Sequence, residues 1–197
     1  MTDHLRRLIA LGRTAADRDQ LEHALRSLDQ QHDVGVKLSR EPVLREVLAE
    51  FVTRLLDAYG SLSSVRGQRV LDIASGSNSS RSPVTRRITV AFEPWMARLL
   101  AELGAHPVAI DIGDLEGEGF EHYRVDLGRP GALDFLPGGS FDAIHESRLF
   151  GSPEFRAAYG PSTDRVRAEI HRQERRLLRP GGIVIHRDGR PREDLDG

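Results

Sequence analysis

From Arg69 onward, short apolar runs alternate with helix-length stretches, and three of the runs carry an acid at or beside their carboxyl end. They are Val70-Leu71-Asp72-Ile73, Val108-Ala109-Ile110-Asp111 and Tyr123-Arg124-Val125-Asp126. A strand of four to six residues that is apolar throughout has to be covered on both faces. Alternation with helices is the pattern of βαβ units around a parallel sheet. Strands are expected over 69–73, 107–111, 122–126, 141–145 and 182–186. Helices are expected over 94–103, stopped by Gly104, and over about 163–178, stopped by Pro180-Gly181-Gly182. Ligands of such sheets sit at the carboxyl ends of the strands, near the switch in strand order.

The first sixty residues read as helix. Leu5, Leu8, Ile9, Gly12 and Ala16, then Leu21, Leu25 and Leu28, recur at helical spacing, with a break expected around 17–19. After Asp33-Val34-Gly35, Pro42 suits a first helical turn. Val43, Val47, Leu48, Phe51, Val52, Leu55, Leu56 and Tyr59 then make an apolar stripe that ends at Gly60. With 197 residues, one core and an appendage are expected: a helical lid over 1–60, a nucleotide-type α/β domain over 61–187 and a charged tail over 188–197.

Composition narrows the function. Hydrophobic residues at 39% and charged residues at 29% are those of a globular chain, and a net charge of -2 gives no general attraction to nucleic acid or anionic membrane. Without cysteine there is no disulfide, thiolate nucleophile, zinc–thiolate site or iron–sulfur cluster. Neither a secretory h-region nor a run of about 20 apolar residues occurs, so the expected location is cytoplasmic.

The first strand passes into Ala74-Ser75-Gly76-Ser77-Asn78, a turn of small residues that lets backbone approach a ligand closely. This stretch resembles motif I of class I, Rossmann-like S-adenosylmethionine (SAM) dependent methyltransferases. There, an acid at the strand end precedes a glycine-rich turn beneath the cofactor's methionine part. Gly76 matches the central glycine, Ala74 stands where the first is usual and Asn78 where the third is usual. Asp111, with Ile112 after it, matches the acid that accepts hydrogen bonds from ribose hydroxyls. The resemblance gives Asp126 to the adenine amino group and Leu127 to the ring. Phe135-Leu136-Pro137-Gly138-Gly139-Ser140-Phe141 is similar to the family's entry to the fourth strand, and Arg179-Pro180-Gly181-Gly182-Ile183 to its entry to the fifth. The resemblance covers about 68–186 and implies a three-layer αβα sandwich of about five mostly parallel strands in order 3-2-1-4-5. SAM is the implied cofactor and S-adenosylhomocysteine the product. Asp72, Ala74, Ser75, Gly76, Asn78, Asp111, Ile112, Asp126 and Leu127 are the implied cofactor-binding residues.

Two features depart from the family. Asp111 follows Asn78 by 33 residues, where about 20 separate glycine turn and ribose acid in related sites, so the turn carries an insertion over 79–92 with Arg81, Arg86 and Arg87. It is either a solvated loop or a cover for the cofactor carboxylate or an acidic substrate. At the other end, 188–197 is too short and too charged for the family's last two strands. That predicts a shortened sheet whose edge is covered by the N-terminal helices or by a second copy in a homodimer.

Residues after the fourth strand face the transferred methyl in this architecture, which makes His145 and Glu146 the candidates for a chemical role. Either could take the proton that a hydroxyl or amine nucleophile must lose, and alternation along the strand favours Glu146. Positioning alone is an alternative. His4, His23, His32, His106, His122, His171 and His186 show no zincin pairing and no close carboxylate triad, so no metal site is expected. Neither a G-x-S-x-G elbow nor a G-x-x-x-x-G-K-[ST] loop occurs. Trp95 is either core or a wall for the ligand. The expected activity is methyl transfer to an oxygen or nitrogen of a small molecule. Cyclisation of the aminobutyryl part of SAM, a non-catalytic SAM-fold binding or assembly protein, and an NAD-dependent oxidoreductase stay open as alternatives.

Overall fold

A computed structural model describes residues 1–146 and 149–185. Five strands form one parallel sheet: β1 (Arg69–Ile73), β2 (His106–Asp111), β3 (Glu121–Arg124), β4 (Phe141–Glu146) and β5 (Leu178–Ile185), in spatial order β3-β2-β1-β4-β5. This is the expected Rossmann-like order. Strand order reverses between β1 and β4, so the connections leaving their paired carboxyl ends run to opposite faces of the sheet and open a crevice between them.

Side-chain alternation divides the core in two. Val70, Ala143 and Ile185 point to one face and join the N-terminal helices. Leu71, Ile73, Val108, Ile110 and Ile144 point to the other and join helices late in the chain. The first layer contains α1 (Asp3–Ile9), α2 (Ala15–His32), α3 (Val34–Arg40), α4 (Pro42–Tyr59) and α5 (Trp95–Glu102). The opposite layer holds α6 (Pro153–Tyr159) and α7 (Thr163–Leu177).

The segment expected as an appended lid is thus one layer of the sandwich. Leu21, Leu25, Leu48, Val52 and Leu55 are at most 1% exposed and share a continuous core with Trp95, Leu99 and the sheet. At about 2 kcal/mol for each fully buried leucine, that layer is integral to stability.

Local chemistry sets the boundaries. The first break falls at 10–14, before the acids rather than among them, because Thr14 caps α2 in a reciprocal box with Asp17. Asp17 is buried and also accepts from the Leu62 amide at 2.9 Å. Burial opposes its ionisation, but the amide and hydroxyl donors outweigh that and hold its pKa below the usual value. Pro42 opens α4 as expected, and Gly60 closes it at φ 75°.

Two strands differ from expectation. β3 ends at Arg124, and Val125 beyond it donates to the Asp111 carbonyl at 2.7 Å. β5 begins at Leu178, directly after α7, so Pro180-Gly181-Gly182 lies inside the strand. Phe141 pairs with Leu178 but Ala143 with Ile183, a bulge in which Gly181 takes φ 78°. His186, expected as the last residue of this strand, and the 188–197 tail lie outside the described residues.

Candidate functional site

A cleft of about 1680 Å³ opens at the carboxyl ends of β1, β2 and β4. Its floor is the turn after β1. Ala74 there has φ 57°, a left-handed conformation that costs a Cβ-bearing residue about 1 kcal/mol and that glycine adopts freely. The position at which the resemblance expects glycine is one whose backbone calls for it. Gly76 has φ 110°, and a Cβ added to it would stand 2.1 Å from the Phe92 carbonyl oxygen. The turn is pinned from three sides: Ser75 N donates to the Ile110 carbonyl at 3.1 Å, Ser77 N to Phe92 at 2.9 Å and Asn78 N to Asp114 at 2.8 Å.

Asp111 stands at the end of β2 against this turn. Its Oδ2 accepts from the Gly76 amide at 3.0 Å and its Oδ1 from the Gly113 amide at 2.6 Å. Burial pushes its pKa up to about 6; the two amides oppose that rise, and the charge of Asp72 adds to it. Each oxygen retains a second lone pair, and the side chain lines the cleft.

Of the other cofactor candidates, Asp72, Ala74, Ser75, Gly76, Ile112 and Leu127 also line the cleft, whereas Asn78 and Asp126 do not. Asn78 Nδ2 donates to the Glu116 carbonyl at 2.7 Å, tying the turn to the loop after β2. Asp126 accepts from the Gly128 amide at 3.0 Å and the Tyr159 hydroxyl at 3.3 Å. Burial and the charge of Asp126 push the Tyr159 phenol up to about 12, so it remains a donor. The residues that the resemblance gives to the ribose and to the methionine part therefore face one cavity. The adenine acid of the resemblance is reached only through its neighbour Leu127 and its partner Tyr159, both of which line the cleft.

At the end of β4, alternation separates the two candidate catalytic residues. His145 follows Ala143 toward the N-terminal layer and is fully buried. Its Nδ1 lies 2.7 Å from Asp72 Oδ1 and its Nε2 lies 3.5 Å from Arg54 Nη1. The carboxylate only accepts and the guanidinium only donates, so the ring proton sits on Nδ1. Ser75 Oγ donates to the other Asp72 oxygen at 2.5 Å. A polar chain thus runs from α4 through His145 and Asp72 to the small-residue turn, with Phe51 packed edge-on against the imidazole. Glu146 follows Ile144 toward the opposite layer and lines the cleft, which His145 does not.

Glu146 meets His171, for which no metal-site role is expected from sequence, and Glu174, which sequence does not single out. His171 and Glu174, one turn apart on α7, bring their donor atoms together with a Glu146 oxygen, all within 4.8 Å of one another. An i, i+4 pair or a close triad in sequence does not describe this arrangement. An H-x-x-E spacing on the expected 163–178 helix was the available signal, and the fold supplies the third member.

The insertion is more than a solvated loop. An Arg81–Ile88 bridge closes it into a small hairpin, with Arg81, Arg86 and Arg87 all exposed and Ser82, Pro83, Val84, Arg87 and Phe92 bordering the cleft. Thr85 Oγ1 donates to Glu154 on α6 at 2.9 Å, and Arg87 approaches the same carboxylate at 3.4 Å. Val43, Val47 and Phe51 of α4 form a further wall. Trp95 is core: it is fully buried, its indole donates to the Val90 carbonyl at 2.6 Å, and the cations of Lys37 and Arg98, which share Glu93, lie over its ring. Among the described residues no helix is long and apolar enough to cross a membrane. In comparison with known proteins, no family model and no curated protein matches the chain.

Proposed function

We propose that this chain binds SAM in the cleft and transfers its methyl group to an oxygen or nitrogen of a small molecule. The observation that carries the reading is the meeting of Asp111 with the left-handed Ala74–Gly76 turn at the strand-order switch of a 3-2-1-4-5 sheet. In this reading the turn 74–77 faces the methionine part and Asp111 accepts from the ribose hydroxyls. Ile112 and Leu127 flank the adenine, with Tyr159 beside Asp126 at its edge. Bound SAM supplies a methyl on a sulfonium, which needs an in-line nucleophile more than a strong base.

Glu146 is the cleft-lining carboxylate at the end of β4, suited to orient the nucleophile and accept its proton. His145 acts indirectly, by holding Asp72 and through it Ser75. The 79–92 hairpin, strapped to α6 through Glu154, and the apolar edge of α4 exclude water and shape the acceptor space.

Calorimetry with SAM, S-adenosylhomocysteine and NAD tests the reading. Binding of the two adenosyl compounds and not of NAD, lost in Asp111→Ala, is the expected result. No adenosyl binding, or binding indifferent to Asp111, would sink it. Intact-mass analysis of small-molecule products then separates methyl transfer from cyclisation of SAM itself.

A further inference from the structure

We infer that Glu146, His171 and Glu174 form a binding site for one divalent transition-metal ion, Mn²⁺ or Zn²⁺ in class, at the α7 side of the cleft. Three independent features of the chain converge on it. Alternation along β4 sends Glu146 to the α7 face, and the i, i+3 spacing puts His171 and Glu174 on one side of that helix. One ligand atom from each lies within 4.8 Å of the other two. Donors sharing an ion at about 2.0–2.2 Å stand roughly 3–4 Å apart, so the set lies within about 1–2 Å of ligand geometry.

The donor chemistry selects the ion. One imidazole and two carboxylates suit zinc, manganese or ferrous iron, whereas calcium takes six to eight oxygens. Three protein ligands are the number found in open, substrate-accessible sites rather than in closed structural ones. Burial supports the same assignment: Glu174 is fully buried at the back and Glu146 is 9% exposed, while Glu146 and His171 line the cleft. The Phe150 ring packs edge-on to His171 at 5.2 Å and restricts its orientation. Glu146 and His171 line the cleft, so an ion held by the set would take oxygen donors of the acceptor, a hydroxyl or carboxylate, from that side. That placement would favour the deprotonated form of a bound hydroxyl, with Glu146 then orienting the nucleophile as a ligand of the ion rather than accepting its proton directly.

The assignment of an ion does not depend on which cofactor the cleft takes, and the two are tested separately. The chelator-treated full chain is titrated with Mn²⁺, followed by the loss of the free-ion paramagnetic signal, and with Zn²⁺ against a chromophoric chelator. One saturable site per chain is expected, weakened at least tenfold in His171→Ala and in Glu174→Gln, with circular dichroism unchanged and SAM affinity within about threefold. A wild-type chain without a saturable site overturns the proposal, and that measurement needs no variant to fold. So does binding that both variants leave intact, which would place the ion on surface histidines. SAM binding without metal binding defeats this inference alone; metal binding without SAM binding defeats the cofactor reading alone.

Discussion

The two sides of the cleft are built from different materials. The β1–β2 side presents backbone: amides of Gly76 and Gly113 on Asp111, a left-handed Ala74, and a turn with no space for a Cβ at Gly76. The β4–α7 side presents side chains, Glu146 and His171, with Glu174 buried behind them. A backbone site is written in consecutive residues and leaves a motif, however imperfect. A side-chain site assembled across a sandwich leaves only spacings on each element, whose meeting depends on how the layers pack.

The largest expected effect is on the backbone side. Gly76→Ala forces a side chain against the Phe92 carbonyl at a φ that L residues avoid, and should cost about 4 kcal/mol in urea denaturation. If it unfolds like the wild type, the turn is looser than described and the contrast between the two sides fails.

Next comes Asp111→Ala, expected to weaken SAM binding about 100-fold, as loss of two charge-assisted hydrogen bonds would. The wild type carries a pH signature of the same residue. Its folded pKa of about 6 lies above the unfolded value, so the folded chain holds the proton more tightly. Lowering the pH from about 6 to about 4 should therefore stabilise the ligand-free protein through this group. SAM affinity should fall over the same window, because a protonated carboxyl loses acceptor capacity. Parallel rather than opposed trends in melting and calorimetry would show that Asp111 does not carry the ribose contact.

A smaller effect separates the two readings of Asp126. Tyr159→Phe removes one hydrogen bond to this carboxylate, worth about 1 kcal/mol of stability, and should change SAM affinity less than threefold. Asp126→Asn should lower affinity about tenfold if the carboxylate serves the adenine edge, and no more than Tyr159→Phe if it only holds the tyrosine. The smallest expected effect has the opposite sign. Ala74→Gly relieves a left-handed alanine and should stabilise by about 0.5 kcal/mol net of glycine's entropy, visible as a small rise in Tm.

Much of the fold was legible because its signals are periodic and local. Apolar runs bounded by turn residues located all five strands to within a few residues, and the strand order followed from the family resemblance. The misplacements have identifiable causes. The capping box of Thr14 outranked the acid cluster as a helix boundary, and strand pairing turned Pro180-Gly181-Gly182 from a helix stop into a bulge. The turn after β1 was legible where backbone conformation favours a small residue, as at Ala74 and Gly76, and Asp111 was legible as the acid that ends an apolar strand. Asn78 and Asp126 were chosen by position in a motif; neither lines the cleft, Asn78 bonding to the Glu116 carbonyl and Asp126 to the cleft-lining Tyr159.

By itself, the sequence determined an α/β sheet with a small-residue turn and strand-end acids, because strand alternation, helix periodicity and turn chemistry are properties of consecutive residues. Tertiary structure alone decided that residues 1–60 form a layer of the core and that His145 faces Arg54 while Glu146 faces α7. It also decided that the 79–92 insertion reaches across to Glu154, and that His171 and Glu174 meet Glu146. The physical reason is the same in each case: one residue of register or one helix rotation moves a side chain from one side of the sheet to the other, and only packing of the two layers fixes it.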